Sequence, residues 1–310
     1  MVTFIGPVAL AGIGQVMRKY ANLIGGKYIE YGQPLDNTNV AVAFVLPIPD
    51  IISILKTYSA KCKKVIYLTI CETETVHELY ESIFELDDTF YVASQFCSDI
   101  LKRQFPQGEF PVMHLYAYPP KELKPFDLQV DNKYVFYHIG NIMDHRKNTK
   151  KLIECFMRAN LSDSVLVLKA TCRGVVDLKI PNVVIINGLL SEEQLEYIHH
   201  VGDCYVSMAF SEGAGMGAIE AAMRHKPVIF PDYGATKEYV DTDWLVPTGR
   251  TTVGMDDFLF KKDFVWGDPD PSVMIEHMKD VYSKRPTVLH QKTYDIMAKV
   301  PLDLMNKILE

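Results

Sequence analysis

The fold class predicted by this 310-residue sequence is doubly wound α/β, with two sheets in tandem, and three observations predict it. Short apolar runs rich in Val and Ile alternate with helical patterns along most of the chain. The alternation pauses once, at the proline-rich stretch Tyr118–Asn132 (YPPKELKPFDLQVDN), and then restarts. A glycine-rich turn at Ser211–Gly217 (SEGAGMG) follows one predicted strand and opens a helix.

Residues 1–120 form the expected first domain. Its strands are read at Val2–Ile5, Val40–Leu46, Lys64–Thr69, Thr89–Ala93 and Val112–Tyr116, with helices at Gln15–Ile24 and Ser98–Gln104. Met1–Met17 carries no charge, but it lacks a basic start and is broken by Gly6-Pro7 and Gly12-Ile13-Gly14, so it reads as a buried strand and a glycine loop, not a signal peptide. Val40–Leu55 is interrupted by Pro47, Pro49 and Asp50, and no transmembrane segment is expected. Residues 121–132 form the linker.

The second domain, 133–270, has strands at Lys133–Ile139, Ser164–Lys169, Asn182–Ile186, Asp203–Met208 and Pro227–Phe230. Its helices fall at Thr149–Ala159 and at Glu192–His199, where Ser191 and Gln194 have the spacing of a capping box. The tail 271–310 reads as helices broken at Pro286 and Pro301, expected to pack back toward the first domain. In such sheets ligands sit at the carboxyl ends of the strands, so the expected site is a cleft between the domains.

Composition narrows the function. The chain is 48% hydrophobic and 23% charged with a formal net charge of -7, which argues against nucleic acid as the main partner. The six cysteines (62, 71, 97, 155, 172 and 204) contain no C-x-x-C pair, so they read as free thiols in a reducing compartment, the cytoplasm.

The segment SEGAGMGAIEAAMRHKPVIF (Ser211–Phe230) places Glu212 and Glu220 on either side of three glycines. A packed core has no use for two carboxylates there, because buried carboxylates are costly unless paired. Each can accept hydrogen bonds from neighbouring hydroxyls of a sugar or ribose, while the amides of GAGMG approach a ligand closely. Arg146 and Lys147 in HRKN supply positive charge; the bland reading is a solvated helix start, where a basic pair opposes the helix dipole. Lys169 at a strand end is a further basic candidate, with an exposed lysine as the common explanation.

This segment resembles the Glu, seven residues, Glu signature of the family-four retaining glycosyltransferases, which have the GT-B fold of two Rossmann-like domains facing a cleft. HIGNIMDHRKN, NVVIINGLLSEEQLEYIHHVGDCYVSMAFSEG and PVIFPDYGATKEYV are similar in the same order. Residues 133–247 carry the resemblance well. The first half is similar in layout only, with AGIGQVMRKYANLI at the glycine loop and VASQFCSDILKR at a helix entry. The resemblance implies that the second domain binds a nucleotide-diphosphate sugar and the first an acceptor. It implies that Glu212 contacts the transferred sugar, that Gly213, Ala214, Gly215 and Met216 present amides, that Glu220 holds the ribose, and that Lys147 with Arg146 neutralises the diphosphate. Gly188 and Leu189 fall where the family lines the base pocket. Family members carry Gly-Arg where this chain has Gly140-Asn141, a departure that leaves two alternatives: Arg146 replaces the arginine, or phosphate binding is weaker.

On the acceptor side, Gly12 and Gly14 offer amides to the diphosphate or acceptor, and Glu72, Glu74 and His77 in CETETVHE follow a strand; a lone histidine is more often structural. Asp241–Asp243 (DTD) and Asp268–Asp270 (DPD) read as solvated turns, so no metal is expected and no cofactor beyond the donor substrate. The expected acceptor is a glycan, glycoprotein or small molecule; peripheral membrane contact and oligomeric state stay open. The rival readings are a non-catalytic GT-B protein that binds sugar nucleotides, and a nicotinamide oxidoreductase resting on an incomplete glycine fingerprint in which Met17 replaces the third glycine.

Overall fold

The computed structural model describes residues 2–8, 12–36, 38–130, 132–171 and 174–309; Cys172 and the residues just before Gly12 lie outside the described residues. The chain divides into two compact units. The first is Met1–Tyr116 with Thr252–Trp266 and Asp295–Glu310, and the second is Ala117–Thr251 with Gly267–Tyr294. The tail read as one block, 271–310, is thus shared between the two units.

In the first unit the elements run β1 (Val2–Gly6), α1 (Gly12–Ile24), β2 (Lys27–Glu30), β3 (Val40–Phe44), α2 (Pro49–Ser59), β4 (Lys64–Thr69), a 3-10 helix (Glu78–Glu85), β5 (Tyr91–Val92) and α3 (Gln95–Gln104). The strands pair in parallel in the order β2-β1-β3-β4-β5. Phe4, Ile5 and Ala41 to Phe44 are buried, as expected of strands covered on both faces. Leu259, from the Thr252–Trp266 segment, is buried in this unit's core.

Three sequence expectations are corrected here. Val112–Tyr116 is not a strand: Val112 makes one isolated parallel bridge to Val92, and the His114 carbonyl takes the Tyr20 hydroxyl at 2.5 Å instead of continuing a ladder. The edge strand β2 and the helix α2 were not anticipated. Pro49, read only as an interruption, occupies the first turn of α2, where its missing N–H costs nothing, and Asp50 favours the helix dipole. Finally, Pro301 lies inside a continuous helix. Met297, Val300, Leu304 and Ile308 are all buried along one face, and that burial carries the helix through the lost hydrogen bond.

The second unit contains β6 (Tyr134–Gly140), a 3-10 turn (His145–Lys147), α4 (Thr149–Ala159), β7 (Ser164–Ala170), β8 (Val183–Ile186), α5 (Glu192–Val201), β9 (Cys204–Val206), α6 (Met216–Ala222), β10 (Val228–Pro231), α7 (Thr236–Tyr239) and β11 (Leu245–Val246). Then come β12 (Thr248–Thr252) and β13 (Val265–Pro269), which pair as a two-stranded sheet, and α8 (Pro271–Lys284); the last helix, α9 (Gln291–Leu309), belongs to the first unit from Asp295 onward. The capping box at α5 forms: Gln194 N–H donates to Ser191 Oγ at 3.3 Å and Ser191 N–H to Gln194 Oε1 at 3.0 Å.

The large sheet of this unit is parallel and ordered β11-β10-β9-β6-β7-β8. Numbered within the unit, that is 3-2-1-4-5-6 read from the β8 edge, the order of dinucleotide-binding sheets. The order reverses between β6 and β9, and the loops leaving those two strands are where such sheets bind ligands. Among the described residues, no helix is long and apolar enough to cross a membrane.

Candidate functional site

The loops after β6 and β9 bring together two basic side chains and a carboxylate. After β6, Asp144 caps the 3-10 turn by accepting the Arg146 N–H at 3.0 Å, and Asn148 ends the turn in the left-handed region at φ 51. Arg146 and Lys147 therefore precede α4 instead of lying in its first turn, so the dipole conflict expected from the sequence does not arise. Arg146 is 9% exposed and turns inward. Its Nη1 donates to the Ser211 carbonyl at 2.7 Å and to Glu212 Oε2 at 3.1 Å, while Lys147 Nζ donates to Glu212 Oε1 at 2.6 Å.

Glu212 is thus held by both cations. Burial alone would raise its carboxyl pKa, but the charges and hydrogen bonds of Lys147 and Arg146 outweigh it and bring the value down to about 2. Its backbone is pinned from the other side. Ala235 N–H donates to the Glu212 carbonyl at 2.8 Å, and a Cβ on Gly234 (φ +84) would lie 2.8 Å from that carbonyl oxygen. Only glycine allows this approach.

The remaining residues expected on the donor side follow along the same loop. Gly213 and Ala214 are buried, and Gly215 adopts φ +86 directly before Met216, the first residue of α6. A Cβ on Gly215 would strike Thr236 Oγ1, so this glycine serves the packing of α6 on α7. Glu220 lies on α6 with its side chain 21% exposed and Oε2 3.9 Å from His199 Nε2. Tyr205 is buried between the fields of the two glutamates: burial, then the charges of Glu212 and Glu220, push its pKa well up.

Lys169 is not an exposed strand-end lysine. It is 3% exposed and its Nζ donates to the carbonyls of Ala170 and Gly188, the latter at 2.9 Å. It therefore fixes the turn at Gly188 (φ +79), beside which Leu189 is 72% exposed. Asn141, which stands where the resembling family has arginine, is exposed and accepts the Met143 N–H at 3.3 Å.

In the first unit, Gly12 starts α1 with open space around it, whereas a Cβ on Gly14 would strike the Val8 carbonyl, so Gly14 is a packing glycine. Glu72 and Glu74 are half-buried. Glu74 lines a groove of about 520 Å³ with Thr75, Val76, Gln104, Phe264 and Val265. His77 caps the 3-10 helix, its Nδ1 accepting the Leu79 N–H at 3.2 Å. Asp270 caps α8 by accepting the Ser272 N–H, and Asp241 Oδ1 lies 3.7 Å from His290. Among the described residues, no group of three or more His, Cys, Asp or Glu side chains could hold a metal.

Sequence reasoning missed two histidines. His138, on β6, is 1% exposed; its Nδ1 lies 2.9 Å from the Val206 carbonyl and so carries the proton. Burial and the nearby Lys147 charge push its pKa down to about 4, and the lone pair on Nε2 has no hydrogen-bond partner among the described residues. A Cβ on Gly140 would lie 3.0 Å from that nitrogen and 3.8 Å from Lys147 Cε, so the backbone at Gly140 runs close to both side chains. Ser211 Oγ and Thr149 Oγ1, beside the cluster in the chain, are likewise buried without a partner among the described residues. His199 is the second, behind Glu220.

No family model matches the sequence, and no curated protein matches it. Solved structures do match. Sucrose-phosphate synthase from Thermosynechococcus elongatus aligns over 99% of this chain and 97% of its own, with TM-score 0.65 and 12% identity. A UDP-forming α,α-trehalose-phosphate synthase from Burkholderia xenovorans aligns over 95% of this chain and 77% of its own (TM-score 0.62, 11% identity). The pneumococcal O-GlcNAc transferase GtfA, in complex with UDP and GlcNAc, aligns over 95% of this chain and 60% of its own (TM-score 0.60, 11% identity). At these identities the likeness is one of architecture, and the chain has the GT-B fold of these glycosyltransferases.

Proposed function

We propose that this protein is a glycosyltransferase that moves a sugar from a nucleotide-diphosphate sugar to an acceptor hydroxyl, with retention of configuration and without a metal. The observation that carries the reading is the Arg146–Lys147–Glu212 cluster at the point where the second sheet reverses its strand order. Two cations there match a diphosphate, and the carboxylate that holds them in place matches the hydroxyls of the attached sugar.

In this reading the incoming diphosphate takes the ammonium and guanidinium from Glu212, and Glu212 turns to the sugar. The bond between the anomeric carbon and the β-phosphate oxygen breaks as the acceptor oxygen bonds to that carbon from the same face. The acceptor proton passes to the departing phosphate oxygen, and Arg146 and Lys147 stabilise the charge on the nucleoside diphosphate. One structural neighbour is solved with UDP and another is UDP-forming, which makes UDP-sugars the first donors to try. The scattered free thiols favour the cytoplasm as the place of work.

A thermal-shift panel of nucleotide sugars tests donor binding, because a ligand of the folded state alone raises its melting temperature. Turnover with added acceptors, with the anomer of the product read by NMR, tests transfer and retention. Donor binding without turnover for any acceptor would instead support a non-catalytic sugar-nucleotide protein.

A further inference from the structure

Behind Glu220 lies a buried chain of polar groups that the reaction as described does not use. Tyr137, on β6, is fully buried, and its hydroxyl is 3.0 Å from His199 Nδ1; His199, on α5, is 3% exposed. The two rings pack edge to face with centroids 5.4 Å apart. Gly202, just past α5, makes room for this, since a Cβ there would strike the Tyr137 ring. Burial raises the phenol pKa well above its ordinary value, so Tyr137 keeps its proton. Donation of that proton to His199 Nδ1 at 3.0 Å would put the imidazole proton on Nε2, the nitrogen that lies 3.9 Å from Glu220 Oε2, within reach of its charge but longer than a hydrogen bond.

The neighbours of this pair are themselves fixed. Arg224 donates through Nε and Nη2 to Glu196 and through Nη1 to the Glu220 carbonyl at 2.8 Å, so α5 and α6 are tied together by a buried ion pair next to the histidine. Burial, and to a lesser degree Arg224, depress the His199 pKa against the pull of Glu220 and Glu196. A neutral donor orients a carboxylate without cancelling its charge, which a lysine in the same place would do.

We infer that His199 is a positioning residue for the nucleotide: with its tautomer set by Tyr137, it holds Glu220 Oε2 from behind and leaves Oε1 to accept a ribose hydroxyl. The inference rests on the proposed reading of Glu220 as the ribose carboxylate. It predicts that the relay acts on ligands that carry a ribose and not on the diphosphate alone.

The test uses the full chain and calorimetry with UDP, GDP and ADP, alongside inorganic pyrophosphate. In His199→Leu, the nucleoside diphosphate that binds wild type best should bind about three- to tenfold more weakly, with pyrophosphate affinity unchanged. His199→Gln, which keeps a donor, should recover most of the loss. Tyr137→Phe should weaken the nucleotide and remove the Nε2–H tautomer signature from the imidazole ¹⁵N spectrum. Equal weakening of nucleotide and pyrophosphate in His199→Leu would overturn the inference in favour of a packing role. So would wild-type affinity in His199→Leu when Glu220→Ala has lost it, and that result would leave the proposed function standing. Failure of wild type to bind any of the three nucleotides, or full affinity in Glu220→Ala, would overturn the reading of Glu220 together with the inference.

Discussion

Lys147 and Glu212, 65 positions apart in the chain, meet at 2.6 Å because the strands that precede them, β6 and β9, are neighbours at the reversal of the sheet order. The contact offsets part of the positive charge of the pair with a carboxylate of the chain itself.

The first prediction concerns Glu212. Its hydrogen bonds to charged groups are worth about 1.5 to 3 kcal/mol, so losing them at the transition state lowers the rate about ten- to hundredfold. Glu212→Ala should therefore lower kcat by that factor. Because it also releases Lys147 and Arg146, affinity for a bare nucleoside diphosphate should stay at the wild-type level or rise, as read by calorimetry.

Glu220 should behave in the opposite way. A ribose contact is similar in ground and transition states, so Glu220→Ala should raise the donor KM about ten- to hundredfold and weaken free nucleoside diphosphate to a comparable degree, with kcat little changed. Steady-state kinetics on both glutamate variants check the assignment, and a kcat loss in Glu220→Ala would reverse it.

Acid should destabilise the protein in two windows. The Glu212 pKa is depressed in the folded state to about 2 from 4.5, so its contribution is complete above pH 4.5 and is lost as pH falls toward 2. His138 is depressed to about 4 from 6.5. The unfolded chain takes up that proton first, so this stability is complete above pH 6.5 and is lost on going down to about pH 4, roughly 3 kcal/mol at 1.36 kcal/mol per pH unit. Denaturant unfolding between pH 7 and 4 should show a shallower loss in His138→Asn than in wild type; parallel curves would refute the assignment.

Metal should be dispensable in the proposed reaction, since Arg146 and Lys147 supply the positive charge. Turnover should persist in excess EDTA, and Asp241→Ala with Asp243→Ala should retain most activity. Loss on chelation, restored by manganese or magnesium, would contradict this.

Much of the fold was legible because buried parallel strands leave uninterrupted apolar runs and an amphipathic helix spaces its apolar residues by turns: the strand Lys64–Thr69 and the helix Thr149–Ala159 were read to the residue. β2 was not legible, because a four-residue edge strand with Lys27 and Glu30 at its ends carries too little pattern. The glycine-flanked glutamates were visible as residue types at a spacing. Their partners were not, since Arg146 reaches Glu212 across 66 positions and nothing local announces the pairing. His138 and His199 were hidden for the same reason: a histidine on a buried strand or helix looks structural until the atom facing its second nitrogen is known.

The most direct test of the central claim, that the basic pair receives the diphosphate of a nucleotide sugar, is calorimetric titration of UDP, GDP and ADP into wild type and Lys147→Met at matched folding, verified by melting temperature. The account predicts that at least one nucleoside diphosphate binds wild type in the absence of metal and binds Lys147→Met about tenfold or more weakly. No binding to wild type, or equal affinity in the variant, would contradict it.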